Sequence, residues 1–375
     1  MNKFKILTVV GTRPEIIRLS RVFNALDASK SIKHYSVHTG QNYDFELNEI
    51  FYKDLSIRKP DFFLNAAANS ASETIGQILI KIEKILDKIK PDAFLVLGDT
   101  NSCLCAIVAK KKKIPIFHME AGNRCFDYRV PEETNRKIVD HISDINLTYS
   151  DIAREYLIRE GISPDRIIKT GSPMYEVIRH NMTKIQASTI LDDLKLKKQE
   201  YFVVSAHREE NIEDPKRLKK LINSLEKIID IYGFQIIFST HPRTKNAIKK
   251  NKLEINNKIC LLKPLCFTDY VNLQLNSLVT LSDSGTISEE SSILSFKALN
   301  IREAHERPEA MEEAAVPLVG FSSDRIIQAI EHLINSKTET KIVSDYSMPN
   351  VSEKVVRIVL SYTDYVNKFV WKKEF

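Results

Sequence analysis

A short polar segment, Asp283–Glu290, has the residue types of an anion-binding turn. It reads Asp-Ser-Gly-Thr-Ile-Ser-Glu-Glu and follows the apolar run Leu278–Leu281, which predicts a strand, a tight glycine turn and a helix start. Backbone N–H groups at a helix start, together with the helix dipole, attract a phosphate group. The acids Glu289 and Glu290 suit sugar hydroxyls instead, so the segment is a candidate nucleotide site. An ordinary capped strand–helix corner is an equally good interpretation of this segment alone.

Two polar clusters with histidines follow apolar runs earlier in the second half of the chain. One begins at Ser205 and contains His207, and the other begins at Ser239 and contains His241. His207 could neutralise a phosphate or carry a proton between reacting groups. Together with His118, the two histidines could instead hold zinc, but no short-range ligand spacing supports a metal site.

In the first half, a glycine and two arginines follow the apolar run Ile6–Val10. Gly11 permits a turn, and Arg13 and Arg18 would project from the start of the next helix. Because guanidinium groups form paired hydrogen bonds to phosphate oxygens, the two arginines suit a diphosphate. A solvated helix start is the alternative interpretation for each arginine alone.

Three carboxylates stand near the ends of apolar runs in the first half. Asp99 and Glu120 lie just after such runs, while Glu132 opens a helical pattern four residues before Arg136. Taken singly, Asp99 also fits a helix N-cap, and Glu132 with Arg136 fits a surface ion pair worth only ~0.3–0.5 kcal/mol. Brought to one edge of a sheet, the three acids would raise one another's pKa and permit acid–base catalysis near neutral pH.

The composition is that of a globular chain long enough for two domains. It has 375 residues, of which 43% are hydrophobic and 28% charged, and its net charge of +6 indicates no nucleic-acid partner. No apolar run approaches the roughly 20 residues of a membrane span, and the start of the chain lacks the pattern of a signal peptide. Five cysteines without a CxxC pair predict a reduced, cytoplasmic protein.

Short apolar runs alternate with helical patterns along most of the chain, which predicts an α/β protein with parallel sheets covered by helices on both faces. The clearest helical pattern begins at Ser72, which can cap it, and stops at Pro91. We predict one Rossmann-like domain over residues 1–170, completed by a helix at about 351–370, and a second over 171–350. Ligands of such sheets lie beyond the carboxyl ends of the strands, so the two domains would face each other across a cleft.

In their order along the chain, the polar clusters resemble the motifs of the non-hydrolysing UDP-N-acetylglucosamine 2-epimerase family. The matching segments are GTRPE (Gly11–Glu15), GDT (Gly98–Thr100), EAG (Glu120–Gly122), PEE…NR (Pro131–Arg136), HRE (His207–Glu209), DSG..EE (Asp283–Glu290) and ERPE (Glu306–Glu309). The resemblance implies a GT-B fold, with two Rossmann-like domains, a cleft between them and a C-terminal helix that crosses back to the first domain. It also implies an isomerase that needs neither a nicotinamide nor a metal, because nothing is oxidised overall.

The resemblance further implies roles for individual side chains. The catalytic set is Asp99, Glu120, Glu132, His207, Arg18 and Arg136. The set that binds UDP or the sugar is Arg13, Gln41, Asn123, Arg124, Arg208, Ser284, Gly285, Thr286, Glu290 and Arg307. In the family, UDP is eliminated and added back while C-2 of the sugar changes configuration. The expected partners are therefore the UDP-sugar and, in a homodimer, a second copy of the chain; no cofactor, nucleic acid or membrane is expected.

A closer resemblance is to one branch of this family, the UDP-N-acetyl-L-fucosamine synthases. The shared segments are GTRPEIIRLSRV (Gly11–Val22), HTGQNYD.ELNEIF (His38–Phe51), GDTNSCL (Gly98–Leu104), HMEAGNRCFD.RVPEETNRKIVDH (His118–His141) and SAHREEN (Ser205–Asn211). Members of this branch epimerise C-2 of UDP-2-acetamido-2,6-dideoxy-L-talose, which gives UDP-N-acetyl-L-fucosamine for capsule or O-antigen synthesis. That conversion is the predicted function.

Three departures distinguish this chain from the glucosamine epimerases. Those enzymes carry Lys at the position of Arg18, Leu at Asn123 and Gly at Thr286. Arg for Lys is not a conservative change at a contact site, because a planar guanidinium replaces a point charge that can be tuned. UDP-N-acetylglucosamine is the alternative substrate. A GT-B glycosyltransferase, a hydrolysing epimerase and a nucleotide-sugar sensor are the alternatives of other classes.

Overall fold

The structure is a computed structural model that describes residues 3–41, 45–212, 214–240, 242–336 and 342–374. The chain divides into two units. Unit 1 is Met1–Arg179 together with Asp345–Phe375, and unit 2 is His180–Ser344. Each unit is built around its own parallel sheet, which confirms the predicted α/β class.

Unit 1 contains one parallel sheet of seven strands in the order β3-β2-β1-β4-β5-β6-β7. The strands are β1 (Phe4–Val10), β2 (Ile32–His38), β3 (Phe62–Phe63), β4 (Ala93–Leu97), β5 (Ile116–Ala121), β6 (Ile145–Thr148) and β7 (Ile167–Lys169). Strand β4 is buried along its whole length and pairs with β1 on one side and β5 on the other. Residues that follow these three strands are therefore neighbours at one edge of the sheet.

Helices connect the strands of unit 1. They are α1 (Arg13–Ala28), α2 (Phe45–Asp54), α3 (Ala71–Ile89), α4 (Ala106–Lys111), α5 (Pro131–Ile142), α6 (Asp151–Arg159) and α7 (Met174–Gln186), the last of which contains the boundary with unit 2. Helix α1 begins directly after the first turn because Pro14 suits its first helical turn and Glu15 accepts a hydrogen bond from the N–H of Thr12 at 2.8 Å.

Helix α3 begins two residues earlier than a cap at Ser72 predicts. Its first residue is Ala71, and its cap is Ser70, whose hydroxyl accepts a hydrogen bond from the N–H of Glu73 at 3.1 Å. The predicted cap at Ser72 is therefore wrong. Both serines have a residue type that caps helices, and only the backbone course selects between them.

Unit 2 contains a parallel sheet of five strands in the order β10-β9-β8-β11-β12. The strands are β8 (Tyr201–Ser205), β9 (Gln235–Ser239), β10 (Ile259–Leu262), β11 (Val279–Ser282) and β12 (Ala298–Asn300). The helices are α8 (Ile190–Asp193), α9 (Glu209–Ile212), α10 (Pro215–Tyr232), α11 (Pro242–Lys250), α12 (Phe267–Asn276), α13 (Thr286–Leu294), α14 (Pro308–Glu312) and α15 (Ser323–Asn335). Apolar side chains of β8, β9 and β11 pack with those of α10 and α15 in one core.

The last helix, α16 (Val351–Tyr365), belongs to unit 1 and begins where the apolar spacing predicts a helix. The N–H of Ser352 donates to Glu176 at 2.9 Å, and Lys354 donates to the carbonyl of Thr170 at 3.1 Å. These bonds join the part of unit 1 that precedes unit 2 in the sequence to the part that follows it. The boundaries predicted near residues 170 and 350 consequently both fall inside unit 1. Among the helices of the described ranges, none is long and apolar enough to cross a membrane.

Candidate active site

The turns after β1, β4 and β5 meet at one edge of the unit 1 sheet, because these parallel strands are neighbours. Gly98 and Gly122 occupy the second and third turns at a φ of +81°, a conformation that strains residues with side chains. Gly11 in the first turn is required for a different reason, since a Cβ there would lie 1.8 Å from the hydroxyl oxygen of Ser102. The close approach of these backbones fixes how the three turns present their side chains.

Arg18 and Glu120 form a buried ion pair at this edge, through Nη1 of the arginine and Oε2 of the glutamate. Asn123 donates from Nδ2 to the other carboxylate oxygen, Oε1, at 3.3 Å. Glu120 has a φ of +63°, a strained conformation of the kind that clusters at functional sites. Asn123 was predicted to bind substrate, and the structure places it on the candidate catalytic carboxylate.

Arg136 of α5 joins two carboxylates. Its Nε donates to Asp99 Oδ2 at 2.9 Å, and its Nη1 donates to Glu133 Oε2 at 3.1 Å. Glu133 is buried, whereas Glu132 is half-buried in the first turn of the same helix. The sequence pattern singles out Glu132 and misses Glu133, although the three-residue spacing of Glu133 to Arg136 is also typical of a helix pair.

Glu15 is a second buried carboxylate that the sequence did not predict as part of the site. Its Oε2 accepts hydrogen bonds from the N–H groups of Gly11 at 2.5 Å and Thr12 at 2.8 Å, and its Oε1 accepts one from the Thr100 hydroxyl at 2.5 Å. Glu15 thus joins the turn after β1 to the turn after β4. Burial raises the pKa of Glu15 to about 7, against the opposing effect of these bonds. The capping-box spacing of Thr12 and Glu15 was the available signal.

Arg13 and Gln41, both predicted to bind the UDP-sugar, lie near the same edge and are half-buried. The Arg13 guanidinium lies over the Phe51 ring, 5.7 Å from its centroid. Gln41 Oε1 accepts hydrogen bonds from the N–H and the hydroxyl of Ser102 at 3.0 and 2.8 Å. Gln41 therefore supports the turn after β4, and a ligand contact for either residue stays a prediction.

Arg124 lies behind the loop that follows β5, with a fully buried side chain. Its Nη1 donates to Asp140 Oδ2 at 2.7 Å, and its Nε donates to Glu160 Oε1 at 2.7 Å. These carboxylates hold the guanidinium inside unit 1, next to the backbone of Asn123. The structure therefore gives Arg124 a supporting position in place of the predicted substrate contact.

His118 was one ligand of the alternative zinc site, and its ring is engaged on both sides. Nε2 lies 2.7 Å from the carbonyl oxygen of Gly98, and Nδ1 lies 2.9 Å from Asp140 Oδ1. Neither nitrogen is available to a metal ion. Within the described ranges, no group of three or more His, Cys, Asp or Glu side chains could hold a metal. His241, another ligand of that alternative, lies outside the described residues.

In unit 2, the buried carboxylate of Asp283 organises the turn after β8. It accepts hydrogen bonds from the N–H groups of His207 and Arg208, each at 3.0 Å, and from Asn211 Nδ2 at 2.9 Å. The His207 ring also contacts this carboxylate, with Nδ1 3.2 Å from Oδ1. Because β8 and β11 are neighbours, Asp283 fixes both His207 and Arg208 beside the start of α13. Asp283 opens the motif DSG..EE, but its residue type alone indicates no particular role for it.

Hydroxyl groups, a backbone N–H and an arginine lie at the start of α13, where the sequence predicts a phosphate site. The Ser284 hydroxyl accepts a hydrogen bond from the Thr286 N–H at 3.3 Å and lies 2.9 Å from the Thr286 hydroxyl. A Cβ on Gly285 would lie 3.8 Å from Arg307 Nε, so this arginine stands directly beside the helix start. Arg307 is held in place by Glu289, 3.3 Å away. Backbone N–H groups, the helix dipole and a guanidinium there favour an anion.

Two further carboxylates of unit 2 have fixed partners. Glu306 contacts Arg208 at 3.3 Å, which orients that predicted binding residue. Glu290, predicted to hold the ribose hydroxyls, is buried and accepts a hydrogen bond from Gln274 Nε2 at 2.8 Å. The predicted residues of unit 2 therefore surround the start of α13, and those of unit 1 surround the turns after β1, β4 and β5.

The chain is similar in sequence and in structure to proteins of one known family. The sequence profile of the UDP-N-acetylglucosamine 2-epimerase family matches residues 24–360. The UDP-N-acetylglucosamine 2-epimerase of Methanocaldococcus jannaschii is 37% identical over 375 residues, which cover 96% of this chain and 100% of the relative. The UDP-2,3-diacetamido-2,3-dideoxy-D-glucuronate 2-epimerase of Pseudomonas aeruginosa is 32% identical, over 87% of this chain and 91% of the relative.

Solved structures agree with the sequence matches. The structure of UDP-N-acetylglucosamine 2-epimerase from Rickettsia bellii superposes with a TM-score of 0.91 at 52% identity, over 99% of this chain and 100% of that chain. The Methanocaldococcus jannaschii enzyme in complex with UDP-GlcNAc and UDP superposes with a TM-score of 0.89 at 36% identity, over 96% and 100% of the two chains. The chain therefore belongs to the non-hydrolysing UDP-N-acetylglucosamine 2-epimerase family and is an isomerase, a UDP-sugar 2-epimerase of the GT-B fold.

Proposed function

We propose that the chain epimerises C-2 of UDP-2-acetamido-2,6-dideoxy-L-talose and so forms UDP-N-acetyl-L-fucosamine. The observation that carries this choice of sugar is the buried pair of Arg18 and Glu120, because the glucosamine epimerases carry Lys at the position of Arg18. A guanidinium binds a carboxylate in a fixed plane and stays charged, whereas an ammonium group turns and can be tuned. Asn123, where those enzymes carry Leu, bonds to the same carboxylate at 3.3 Å. Two departures thus act on one reacting group.

UDP-N-acetylglucosamine is the second candidate substrate and would give UDP-N-acetylmannosamine. The names of the relatives from Methanocaldococcus jannaschii and Rickettsia bellii favour it. The name of the Pseudomonas aeruginosa relative gives a diacetamido sugar acid instead. Family membership therefore supports epimerisation at C-2, and the choice of sugar rests on the residues around Glu120.

The proposed reaction is an elimination followed by a re-addition. A carboxylate takes the proton from C-2 while the bond between C-1 and the UDP oxygen breaks, which leaves a 2-acetamidoglycal and UDP. A second acid then returns a proton to the other face of C-2 as UDP adds back to C-1. No electrons are gained or lost overall. Asp99, Glu120 and Glu132 are the proposed acid–base residues, with Arg18 and Arg136 beside them.

The departure of UDP needs stabilisation, because the C-2 proton is only weakly acidic. We assign the diphosphate to the start of α13, which bears hydroxyls, N–H groups and a neighbouring arginine. The proposed diphosphate ligands are Arg13, His207, Arg208, Ser284, Gly285, Thr286 and Arg307, and the proposed ribose ligand is Glu290. Asp283 supports this site by fixing the backbone of His207 and Arg208.

The proposed setting is a homodimer in the cytoplasm whose product enters capsule or O-antigen synthesis. All five cysteines carry free thiols, which suits a reducing compartment. Size-exclusion chromatography with light scattering measures the oligomeric state, and a monomer at micromolar concentration would contradict the dimer.

The choice of substrate is tested by incubating the purified protein in D₂O with each of the two UDP-sugars and reading C-2 by NMR. We expect inversion of the 6-deoxy-L-talo sugar with deuterium at C-2 and without an acceptor, and at most slow conversion of UDP-N-acetylglucosamine. Faster conversion of UDP-N-acetylglucosamine selects the second candidate. A product that retains its original C-2 hydrogen contradicts elimination, whichever sugar reacts.

The acid–base roles are tested by Asp99→Asn, Glu120→Gln and Glu132→Gln. We expect each to lower kcat by about 10²–10⁴-fold while binding of UDP is retained. Asp87→Asn, on an exposed position of unit 1, is the matched control and should leave kcat unchanged. A variant with near-normal turnover removes that carboxylate from the chemistry.

A further inference from the structure

The ring of His118 lies in the core of unit 1 and faces an acceptor on each side. Nε2 is 2.7 Å from the carbonyl oxygen of Gly98, and Nδ1 is 2.9 Å from the carboxylate of Asp140. Both side chains are fully buried. A carbonyl oxygen can only accept, so Nε2 must carry a hydrogen.

Whether Nδ1 of His118 also carries a hydrogen depends on Asp140, which lies beside it. A neutral ring with its hydrogen on Nε2 would point the lone pair of Nδ1 at Asp140, unless that carboxyl held a proton. Asp140 already accepts from the N–H of Gly122 at 3.2 Å and from Arg124 Nη1 at 2.7 Å, and such donors favour the carboxylate. An imidazolium, with a hydrogen on each nitrogen, removes that repulsion and makes the 2.9 Å contact between Nδ1 and the carboxylate of Asp140 a favourable ion pair.

The surrounding charges balance such a cation. Arg124 contacts Asp140 and Glu160, and Glu160 also contacts His141 at the protein surface. Two buried cations, the His118 ring and the Arg124 guanidinium, thus lie against two carboxylates. Burial alone would lower the pKa of His118, but the hydrogen bond and charge of Asp140 outweigh burial and raise it. Burial would raise the pKa of Asp140, but His118 and Arg124 lower it.

The ring holds the turn that carries Asp99. The N–H of Gly98 donates to the carbonyl of Met119 at 3.0 Å, and the carbonyl of Gly98 faces His118 Nε2. The peptide groups on both sides of this glycine are consequently fixed to β5. Asp99 follows directly, and its negative charge lies within the electrostatic range of the His118 ring.

We propose that His118 is a positioning residue of the reaction, a buried imidazolium that Asp140 keeps charged and that fixes the Gly98 turn so that Asp99 is presented as a carboxylate. The proposal rests on the proposed acid–base role of Asp99. The charge of the ring also favours the ionised form of Asp99, because charges interact more strongly in the low-dielectric interior than in water. Loss of the charge would both loosen the turn and make Asp99 easier to protonate.

The first test reads the ring directly in the wild-type protein and needs no substrate. Histidine labelled with ¹⁵N is followed by long-range ¹H–¹⁵N correlation between about pH 6 and pH 8, where ordinary histidines lose their proton. The His118 signals are assigned by their loss in His118→Gln. We expect both nitrogens to keep the chemical shift of a protonated imidazolium throughout. A deprotonated nitrogen signal at about pH 7 overturns the proposal.

The second test compares Asp140→Asn with Asp144→Asn. Asp144 is also a fully buried carboxylate, but its contacts are Lys110 and the N–H of Ile116. We expect both variants to lose stability, and only Asp140→Asn to let His118 titrate, to lower kcat by roughly 10- to 100-fold and to shift the acidic limb of the kcat–pH profile. Equal kinetic losses in the two variants with unshifted profiles overturn the proposal.

The two tests separate this proposal from the proposed function. Kinetics use whichever UDP-sugar the wild-type protein converts, so a wrong choice of sugar leaves the comparison intact. If Asp140→Asn does not fold, the protonation state of the His118 ring in the wild-type protein, measured by NMR, supports or overturns the proposal. If neither sugar is converted, the proposed function fails, while the NMR result still supports or overturns the charged state of His118.

Discussion

Arg136 contacts one oxygen of Asp99 with two of its nitrogens, Nε at 2.9 Å and Nη2 at 2.6 Å. Its third nitrogen donates to the buried carboxylate of Glu133 at 3.1 Å. Arg136, which lies on α5, thereby orients the carboxylate of Asp99 just after β4, and Glu133 in turn orients Arg136. A single guanidinium neutralises an acid of the proposed reaction and an acid of the core.

Arg136→Met tests this arrangement. The substitution leaves Glu133 buried beside no guanidinium, which should cost about 3–5 kcal/mol of folding free energy. It also frees Asp99 from its planar partner, so we expect kcat to fall by about 10²-fold or more. Chemical denaturation and steady-state kinetics measure the two effects. Arg159→Met on the exposed side of α6 is the control, and equal stability losses in both variants would contradict the role of Arg136.

Glu15 should make stability depend on pH. Its pKa is about 7 in the folded chain against an ordinary value of 4.5, so between these values the folded state holds a proton that the unfolded state has released. The contribution of Glu15 to the free energy of unfolding is therefore fully present below a pH of about 4.5 and is lost as the pH rises through about 7. The loss is on the order of 3 kcal/mol.

Glu15→Gln removes that titration. Relative to the variant, the wild-type protein should lose stability between about pH 5 and about pH 8, as measured by urea unfolding at each pH. Glu155→Gln on an exposed position of α6 is the control and should follow the wild-type curve. Parallel curves for the wild-type protein and Glu15→Gln would show that Glu15 does not change its protonation on folding.

Two glycines of unit 1 should respond to alanine in opposite directions. In Gly11→Ala the new Cβ would lie 1.8 Å from the Ser102 hydroxyl oxygen and 2.3 Å from that of Thr39, so the turn after β1 must shift. We expect a loss of about 1–3 kcal/mol and reduced kcat. Gly76 lies inside α3 with open space around its Cα, and Gly76→Ala should gain about 0.5–1 kcal/mol. Thermal unfolding of both variants measures the contrast, which similar shifts would refute.

Asp283→Asn should weaken UDP binding without removing the fold of unit 2. The carboxylate of Asp283 accepts hydrogen bonds from the N–H groups of His207 and Arg208 and from the side chain of Asn211. In the variant, the amide nitrogen is itself a donor and would face these donors. A cost of about 1–3 kcal/mol for mismatched buried polar groups corresponds to roughly a 5- to 150-fold higher Kd for UDP in calorimetry. Asp214→Asn, at the exposed cap of α10, is the control. Unchanged UDP affinity in Asp283→Asn would place the diphosphate elsewhere.

Much of the fold could be predicted from the sequence, because its signals are local. Continuous apolar runs between helical patterns indicate buried parallel strands, and β4 and β8 are buried along their whole length. The glycines and polar residues that end these runs mark the turns where ligands bind. For the same reason, the ordered motifs were enough to indicate the family.

What the sequence pattern missed concerns the choice among similar residues. Ser70 caps α3 where Ser72 has an equally suitable side chain, and Arg136 contacts Glu133, a carboxylate that the pattern did not single out beside Glu132. Arg124 shows the same limit, because its residue type suits a phosphate and its location buries it among carboxylates.

The strands, the turns at their ends and the residue types of a UDP-sugar 2-epimerase follow from local sequence patterns. Which side chains meet depends on the order of the strands in the folded sheet, because β1, β4 and β5 are neighbours although long stretches of chain separate them. That order brings Glu15 to Thr100 and His118 to Gly98. Local sequence patterns indicate which residues are buried and where the turns lie. The protonation and orientation of a buried group depend instead on the charges that the folded sheet places around it.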